Sequence, residues 1–240
     1  MDLFNLPKKC RQNAILYYCG SFDPAHEGHL SNLKSAMEKT KAIGAVVIVS
    51  KGKNSNKPNR SSWKVRRQTA LELFSKLDNV YVSPWGKNIT KKYLLERAYV
   101  INLMGSDIWE KYCKRTKSDF QGVCIGLRYG ETADYITNLK DKEIFYTRDK
   151  IRGCSSSKIR NYLKAHPEIY EGITPLPGTI LDKLSSSELD YIIKNRLYYQ
   201  GKKTHLQETL KKVKSYITTM LFSIKNIVSA LNHLKITETT

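Results

Sequence analysis

The chain has 240 residues and a net charge of +19 at pH 7, and its length suits one well-buried α/β domain of roughly 200 residues with an appendage. Its five cysteines form no CxxC pair and no even secreted framework, and no apolar run reaches bilayer length, so we expect a cytoplasmic protein with no protein-bound metal and no membrane span. The positive charge suits polyanionic partners, but without an interleaved basic and aromatic RNA-binding signature we expect no nucleic-acid partner.

The first predicted unit is a buried strand that leads through a tight turn into a helix. Residues 14–19 form an apolar run, Pro24 and Gly28 punctuate the turn, and apolar residues recur at helical spacing after Gly28. A helix start exposes unpaired backbone N–H groups and the positive end of the helix dipole, so it favours a polyphosphate. His26 and His29 stand at this start, where imidazolium N–H groups would stabilise the charge of a five-coordinate phosphorus transition state.

Strand-like runs and amphipathic segments then alternate, and this order predicts parallel strands. The further runs are strands at 45–49, 80–82, 99–104, 123–127 and 144–146 and a helix at 63–77. Ligands of such sheets bind beyond the carboxyl ends of the strands. The segments 20–29 and 105–107 and the residue Arg128 each follow a predicted strand, so we expect them to converge on one crevice.

The second candidate site segment is 154–160, in which serine hydroxyls lead directly into a basic helix. Serine side chains cap helices, and a capped basic helix binds anions. Together and in this order, the turn with His26 and His29 and the segment 154–160 resemble the HxGH and ISSTxIR signatures of the nucleotidyltransferase superfamily. The resemblance implies a Rossmann-like three-layer αβα fold with a parallel sheet over residues 1–200. It does not cover residues 201–240, where the sequence pattern itself predicts a helical extension.

Within that superfamily the chain is most similar to nicotinamide and nicotinate mononucleotide adenylyltransferases. Residues 103–109 resemble their GxD segment, in which the aspartate holds the ATP ribose. Residues 82–85 resemble the stretch that places a tryptophan against the pyridine ring, and segments between 177 and 198 resemble the end of bacterial members. The likeness therefore extends from residue 14 to about residue 199.

The resemblance also implies a set of site residues. His26 and His29 would act on the α-phosphate of ATP, while the β- and γ-phosphates would contact Ser156, Ser157, Lys158 and Arg160. The other residues expected at the ATP site are Gly20, Ser21, Phe22, Gly28, Gly105, Asp107 and Ile159. The expected acceptor site comprises Lys57, Arg67, Trp85, Trp109 and Arg128.

Other interpretations stay open for several of these residues. Surface charge also explains Arg67, and core packing also explains the two tryptophans, Trp85 and Trp109. The chain has Cys19 where bacterial members usually carry glycine and Ser157 where the signature has threonine, and both keep a small side chain. The lysine-rich stretch at 51–58 lacks the proline-proline-histidine-lysine motif that is usual in bacterial members. The lysine that contacts phosphate is therefore open among Lys51, Lys53 and Lys57.

The last part of the chain carries a different pattern. Nine apolar residues from Leu206 to Leu234 are separated alternately by four and three residues, which is a heptad seam. Such a helix favours a homo-oligomer formed through residues 206–234, ahead of a helix folded back on its own domain or in contact with a membrane surface.

The activity implied by the resemblance is adenylyl transfer from ATP to nicotinamide or nicotinate mononucleotide, with NAD or deamido-NAD and pyrophosphate as products. Mg²⁺, which prefers phosphate and water oxygens, would be carried on the ATP phosphates. One alternative is another phosphorylated acceptor, such as phosphopantetheine or a phospho-alcohol, and another is a non-catalytic nucleotide sensor or scaffold. The preference between the amide and the acid mononucleotide stays open.

Overall fold

The structure is a computed structural model that describes residue 6 and residues 8–51, 61–113, 119–127, 130–132, 143–148, 153–173 and 178–199, without the side chains of 110–113. The chain divides into two units, Met1–Tyr199 and Gln200–Thr240. The second unit, with the heptad seam and the extension expected at 201–240, lies outside the described residues, as do Lys53, Lys57 and Arg128.

Strands and helices alternate along the first unit. The strands are β1 (Ile15–Gly20), β2 (Gly44–Val49), β3 (Val80–Val82), β4 (Val100–Gly105), β5 (Gly122–Leu127) and β6 (Glu143–Arg148). The helices are α1 (Glu27–Thr40), α2 (Trp63–Phe74), α3 (Lys87–Arg97), α4 (Ser106–Cys113), α5 (Ser156–Ala165) and α6 (Ser186–Lys194). Short 3-10 helices cover Arg11–Asn13, Pro167–Glu171 and Ile180–Lys183.

The six described strands form one parallel sheet in the order β3-β2-β1-β4-β5-β6. In the register of the central strand, Ile15 lies opposite Gly44 of β2 on one side and opposite Val100 of β4 on the other. The order reverses direction between β1 and β4, and this switch point opens a crevice at the carboxyl ends of the strands. The parallel sheet confirms the expected Rossmann-like three-layer fold.

Successive residues of each strand point to opposite faces of the sheet, and both faces are covered. Leu16 of β1 packs with Leu33 of α1 and Leu73 of α2 in one buried cluster. Its neighbour Ile15 packs on the other face with Leu94 of α3. Strands buried on both faces read as continuous apolar runs, which explains why these strands were predictable from the sequence.

Helices α5 and α6 build a separate small core with the two 3-10 helices near them. Its buried members include Ile159 and Leu163 of α5, Leu181, and Ile192 of α6. This core holds the segment that follows the sheet, so it fixes the start of α5. Among the described residues, no helix is long and apolar enough to cross a membrane.

One helix boundary and three helices differ from the predicted pattern, and several strand ends shift by one or two residues. Helix α2 ends at Phe74 rather than Leu77, because the N–H of Leu77 turns back to the Phe74 carbonyl at 3.1 Å. Helices α3, α4 and α6 were not predicted. In α3 only Thr90 and Leu94 are buried, so the sequence carries little apolar periodicity at that place.

Glu188 closes the first turn of α6 with a capping box. Its Oε2 accepts bonds from the N–H and the hydroxyl of Ser185 at 2.9 and 2.8 Å, and the side chain is fully buried. Burial raises the pKa of Glu188 to about 7, against the opposing effects of the Ser185 bonds and the charge of Lys76, while Glu27 adds to the rise.

A raised carboxyl pKa makes the fold less stable as the pH increases. The contribution of Glu188 is fully present below the pKa of the unfolded chain and is lost as the pH rises through about 7. We therefore expect the free energy of unfolding of the wild type to fall by on the order of 2 kcal/mol between pH 5 and pH 8. Glu188→Gln has no carboxyl group at this position, so we expect this fall to be absent in that variant. Chemical denaturation at both pH values measures it, with exposed Glu171→Gln as the matched control; an identical pH profile in Glu188→Gln and wild type would contradict the assignment.

Candidate active site

A cavity of about 750 Å³ opens at the carboxyl ends of β1, β4 and β5, at the switch point of the sheet. It brings together most of the predicted ATP residues, which belong to three separate segments of the chain. Those that line it are Gly20, Ser21, Phe22, His26, Gly28, His29, Gly105, Asp107, Ser156, Ser157 and Lys158. Segments 20–29 and 105–107, which were expected to converge on one crevice, both line this cavity, whereas Arg128 lies outside the described residues.

Two of the predicted ATP residues lie elsewhere. Ile159 is fully buried in the core under α5, so its side chain anchors the helix rather than facing the cavity. Arg160 does not line the cavity and instead contacts the turn that follows β1. Lining residues that the sequence reasoning missed include Asn32, Gly126 and Cys154. Asn32 follows His29 by three residues, and that helical spacing is the signal that could have found it.

The two histidines stack at the start of α1. His26 is the N-cap residue, its carbonyl accepts the N–H of His29 at 2.8 Å, and the two ring centroids are 3.8 Å apart at an interplanar angle of 30°. The ring of Phe22 packs edge-on against His29 with centroids 5.0 Å apart. The first turn of the helix therefore presents both rings and its own N–H groups together.

His26 is a neutral imidazole at physiological pH. Only 6% of the residue is exposed, and this burial lowers the pKa of His26 to about 4. The Sγ atom of Cys154 lies 3.0 Å from Nδ1. A thiol that donates to Nδ1 places the ring proton on Nε2, so His26 offers one N–H donor as a neutral ring. The imidazolium expected from the sequence is thus not the state of His26, because the site excludes water around it.

The turn between β1 and α1 holds a strained residue in a tight space. Phe22 has a φ of 48°, in the left-handed region that a bulky residue rarely adopts. Its ring is locked against Tyr18 and Phe74 by edge contacts with centroids 5.2 and 5.6 Å apart. A Cβ on Gly20 would lie 2.7 Å from this ring, so only glycine fits there.

The turn is fastened to the second signature segment. The hydroxyl of Ser156 donates to the carbonyl of Pro24 at 2.8 Å, and the guanidinium of Arg160 donates to the carbonyl of Asp23. The Asp23 carboxylate, only 2% exposed, also lies 3.9 Å from Arg160 and accepts the hydroxyl of Tyr198 at 2.8 Å. These contacts hold the starts of α1 and α5 across the cavity.

Arg66 is a structural residue of the site that the sequence reasoning did not select. It is 1% exposed, and its guanidinium donates to three backbone carbonyls: Ser21 at 2.6 Å, Ser50 at 2.8 Å and Ser61 at 2.9 Å. Ser21 and Ser50 directly follow β1 and β2, so Arg66 ties together the loops at the carboxyl ends of two neighbouring strands.

The residues expected at the acceptor site fall into two groups. Arg67 donates to the carbonyls of Val82 and Ser83, both at 3.3 Å, and half-buried Trp85 packs near Tyr93. Trp109 is 4% exposed and lies in an apolar cluster beside β5. The side chains of Arg67, Trp85 and Trp109 do not line the cavity. For Trp109, the buried position agrees with the interpretation of this residue as part of the core.

Lys51 is the only one of the three candidate lysines in the described part of the chain. Its Nζ lies 4.1 Å from the ring centroid of Trp63, whose indole N–H donates to the carbonyl of Val49 at 3.0 Å. Arg67 lies on the same tryptophan, 6.0 Å from the centroid. A cationic and aromatic patch thus follows β2, and Trp63 is a member that the sequence reasoning missed.

No group of three or more histidine, cysteine, aspartate or glutamate side chains that could hold a metal ion occurs among the described residues. A Mg²⁺ ion that arrives on the phosphates of ATP needs no such cage, since it takes its ligands from phosphate and water oxygens. The donors in the cavity fit the phosphates of such a substrate instead: hydroxyls, a lysine, imidazoles and the N–H groups of two helix starts.

The sheet order and the paired histidines define an αβα protein of the nucleotidyltransferase type. The chain belongs to the cytidylyltransferase-like family, whose model matches residues 17–162. A comparison with curated protein sequences gives no match.

Solved structures confirm the fold. A Plasmodium falciparum nicotinic acid mononucleotide adenylyltransferase complexed with APC aligns with a TM-score of 0.56 at 16% identity, covering 78% of this chain and 97% of that one. The same enzyme complexed with NaAD gives a TM-score of 0.55 at 17% identity over the same shares of the two chains. The fold resemblance to this class of adenylyltransferase is therefore shown over most of the chain.

Loss of the Arg66 guanidinium should destabilise the site as a unit. Arg66→Leu leaves three half-buried carbonyls without this donor, and we expect it to lower the free energy of unfolding by about 3 kcal/mol or more. Arg67→Leu is the matched control, because Arg67 is half-buried and makes longer bonds. Denaturant titration measures both variants, and equal losses in the two would contradict the special role of Arg66.

Proposed function

We propose that this protein transfers the adenylyl group of ATP to nicotinamide or nicotinate mononucleotide. An oxygen of the acceptor 5′-phosphate attacks the α-phosphorus, the bond from that phosphorus to the bridging oxygen of the β-phosphate breaks, and pyrophosphate leaves with the electron pair. The observation that carries the proposal is the cavity in which stacked His26 and His29 face the start of α5. Support for the acceptor comes from the fold shared with a nicotinic acid mononucleotide adenylyltransferase.

The protein's task in this reaction is orientation and stabilisation of charge. The acceptor phosphate is already a nucleophile at neutral pH, so no covalent enzyme intermediate is required. Neutral His26 and its neighbour His29 would donate N–H bonds to the α-phosphate oxygens as negative charge builds up. A donor fixed before the reaction costs no reorganisation when the charge appears, and the burial that neutralises His26 also strengthens its bond.

The terminal phosphates would bind at the start of α5. Ser156, Ser157 and Lys158 line the cavity there, and the first backbone N–H groups of a helix are unpaired within it. MgATP is the substrate, with the metal ion on the phosphates. Exposed Asp107, directly after Gly105 and Ser106 at the end of β4, would accept bonds from the ribose hydroxyls.

The acceptor would enter from the side of β2 and β3. The patch of Lys51, Trp63 and Arg67 follows β2, and it offers cations for the acceptor phosphate and aromatic surface for its ring. Trp85 belongs to the same edge of the sheet, at the end of β3. The proposed roles of Lys57, Trp109 and Arg128 in acceptor binding stand on the sequence resemblance alone.

The choice of acceptor is tested by release of pyrophosphate from MgATP in the presence of one acceptor at a time. We expect turnover with nicotinamide or nicotinate mononucleotide and a new dinucleotide in equal amount to the pyrophosphate. Turnover only with phosphopantetheine or a phosphorylated alcohol would agree with nucleotidyl transfer in this cavity. It would refute a pyridine mononucleotide as the acceptor. No turnover with any acceptor, together with ATP binding, would indicate the non-catalytic sensor.

His29 should be needed for turnover and not for folding. His29→Ala removes a donor to the transition state, and we expect kcat to fall by about a hundredfold or more, on the order of 3 kcal/mol. Half-buried His166, which pairs with Glu168 at 2.8 Å away from the cavity, gives the matched control His166→Ala. Steady-state rates with circular dichroism on both variants check this, and near-wild-type turnover in His29→Ala would contradict the role.

A further inference from the structure

Tyr198 reaches the turn of the catalytic histidines from the far end of the first unit. It follows α6, with a φ of 65°, and its ring packs against the small core of α5 and α6. The hydroxyl donates to Oδ1 of Asp23 at 2.8 Å, across 175 positions of the sequence. The residues of this stretch resemble the end of bacterial members of the adenylyltransferase family, and the proposed reaction assigns no role to Tyr198.

Asp23 is the point where four segments meet. Its Oδ1 accepts the Tyr198 hydroxyl, and its Oδ2 accepts the N–H of Ser61 at 3.3 Å and lies 3.9 Å from the Arg160 guanidinium. The carboxylate is 2% exposed, and a buried carboxylate is stable only where its oxygens are bonded and its charge is paired. Each of these partners therefore fixes the orientation of the group for the others.

We infer that Tyr198 is a positioning residue for the ATP cavity, acting through Asp23 on Arg160 and on the turn that leads to His26. This inference rests on the proposed use of the cavity for ATP. Tyr198 holds Oδ1, so Oδ2 stays turned towards Arg160, which in turn donates to the Asp23 carbonyl and to the hydroxyl of Ser157 at 3.1 Å. Ser157 lines the cavity at the proposed site of the terminal phosphates.

The hydroxyl of Tyr198 is suited to act as a constant hydrogen-bond donor. Burial raises the pKa of the Tyr198 hydroxyl well above its usual range, and the nearby Asp23 charge adds to this rise, so the group keeps its proton at every physiological pH. Removal of the hydroxyl alone leaves the ring in its packing and takes one bond from a buried charge. We then expect the Asp23 carboxylate to lose its fixed orientation and the start of α5 to shift relative to the start of α1. A shift of roughly 1 Å in such a site is enough to cost a large factor in function.

The test is Tyr198→Phe with Tyr199→Phe as the matched control. Tyr199 is the adjacent half-buried tyrosine, and its ring packs on Tyr170 with centroids 5.1 Å apart. We expect Tyr198→Phe to weaken binding of a non-hydrolysable ATP analogue roughly tenfold in calorimetry, since a bond to a charged group is lost. The KM for ATP should rise by a similar factor with a smaller change in kcat, and Tyr199→Phe should bind as wild type does.

A double-mutant cycle separates positioning from general loss of stability. In an Arg160→Ala background, Tyr198→Phe should change ATP-analogue affinity less than twofold, because its effect passes through Arg160. Unchanged affinity in Tyr198→Phe, or equal effects with and without Arg160, would overturn the inference. Because the readout is binding of the ATP analogue, it is independent of the acceptor. Loss of adenylyl transfer to every pyridine mononucleotide would refute the proposed function and leave this result standing.

Discussion

The structure of this site depends on one buried carboxylate. Asp23 lies in the turn between β1 and α1, nearly out of reach of water, and every group that pairs with it comes from a different part of the chain. A carboxylate in such a place destabilises the fold unless all its partners are present. The fold therefore brings α5, the start of α2 and the end of α6 to the turn as a condition of burying it. Of these segments, the start of α5 also lines the cavity.

The charge of the whole chain and the donors of the cavity would act differently on a phosphate ligand. The net charge of +19 at pH 7 favours approach of polyanions without selecting one. The cavity adds neutral His26, backbone N–H groups of two helix starts and serine hydroxyls to the side chain of Lys158. Under the proposed function, these donors would bind phosphate oxygens by their position and not by charge alone.

The sequence predicted what is local and missed what depends on the rotation of a helix. Continuous apolar runs and turn residues identified the strands and both signature segments, since both kinds of signal lie within a few residues of the feature. Arg66 and Arg67 are adjacent and chemically identical in sequence. Only the packing of α2 decides that Arg66 is buried against three carbonyls while Arg67 is half-buried. Trp109 is a similar case. Its burial beside β5 depends on helix α4, which no apolar periodicity in the sequence predicted.

The proposed function requires this cavity to bind ATP with its α-phosphate at the two histidines. The decisive experiment is a crystal structure of the full chain with an ATP analogue that carries a methylene group between the α- and β-phosphorus atoms. We expect the α-phosphate oxygens within hydrogen-bond distance of His26 or His29, and the terminal phosphates at the start of α5. An analogue bound outside this cavity, or with its α-phosphate remote from both histidines, would refute this placement of ATP.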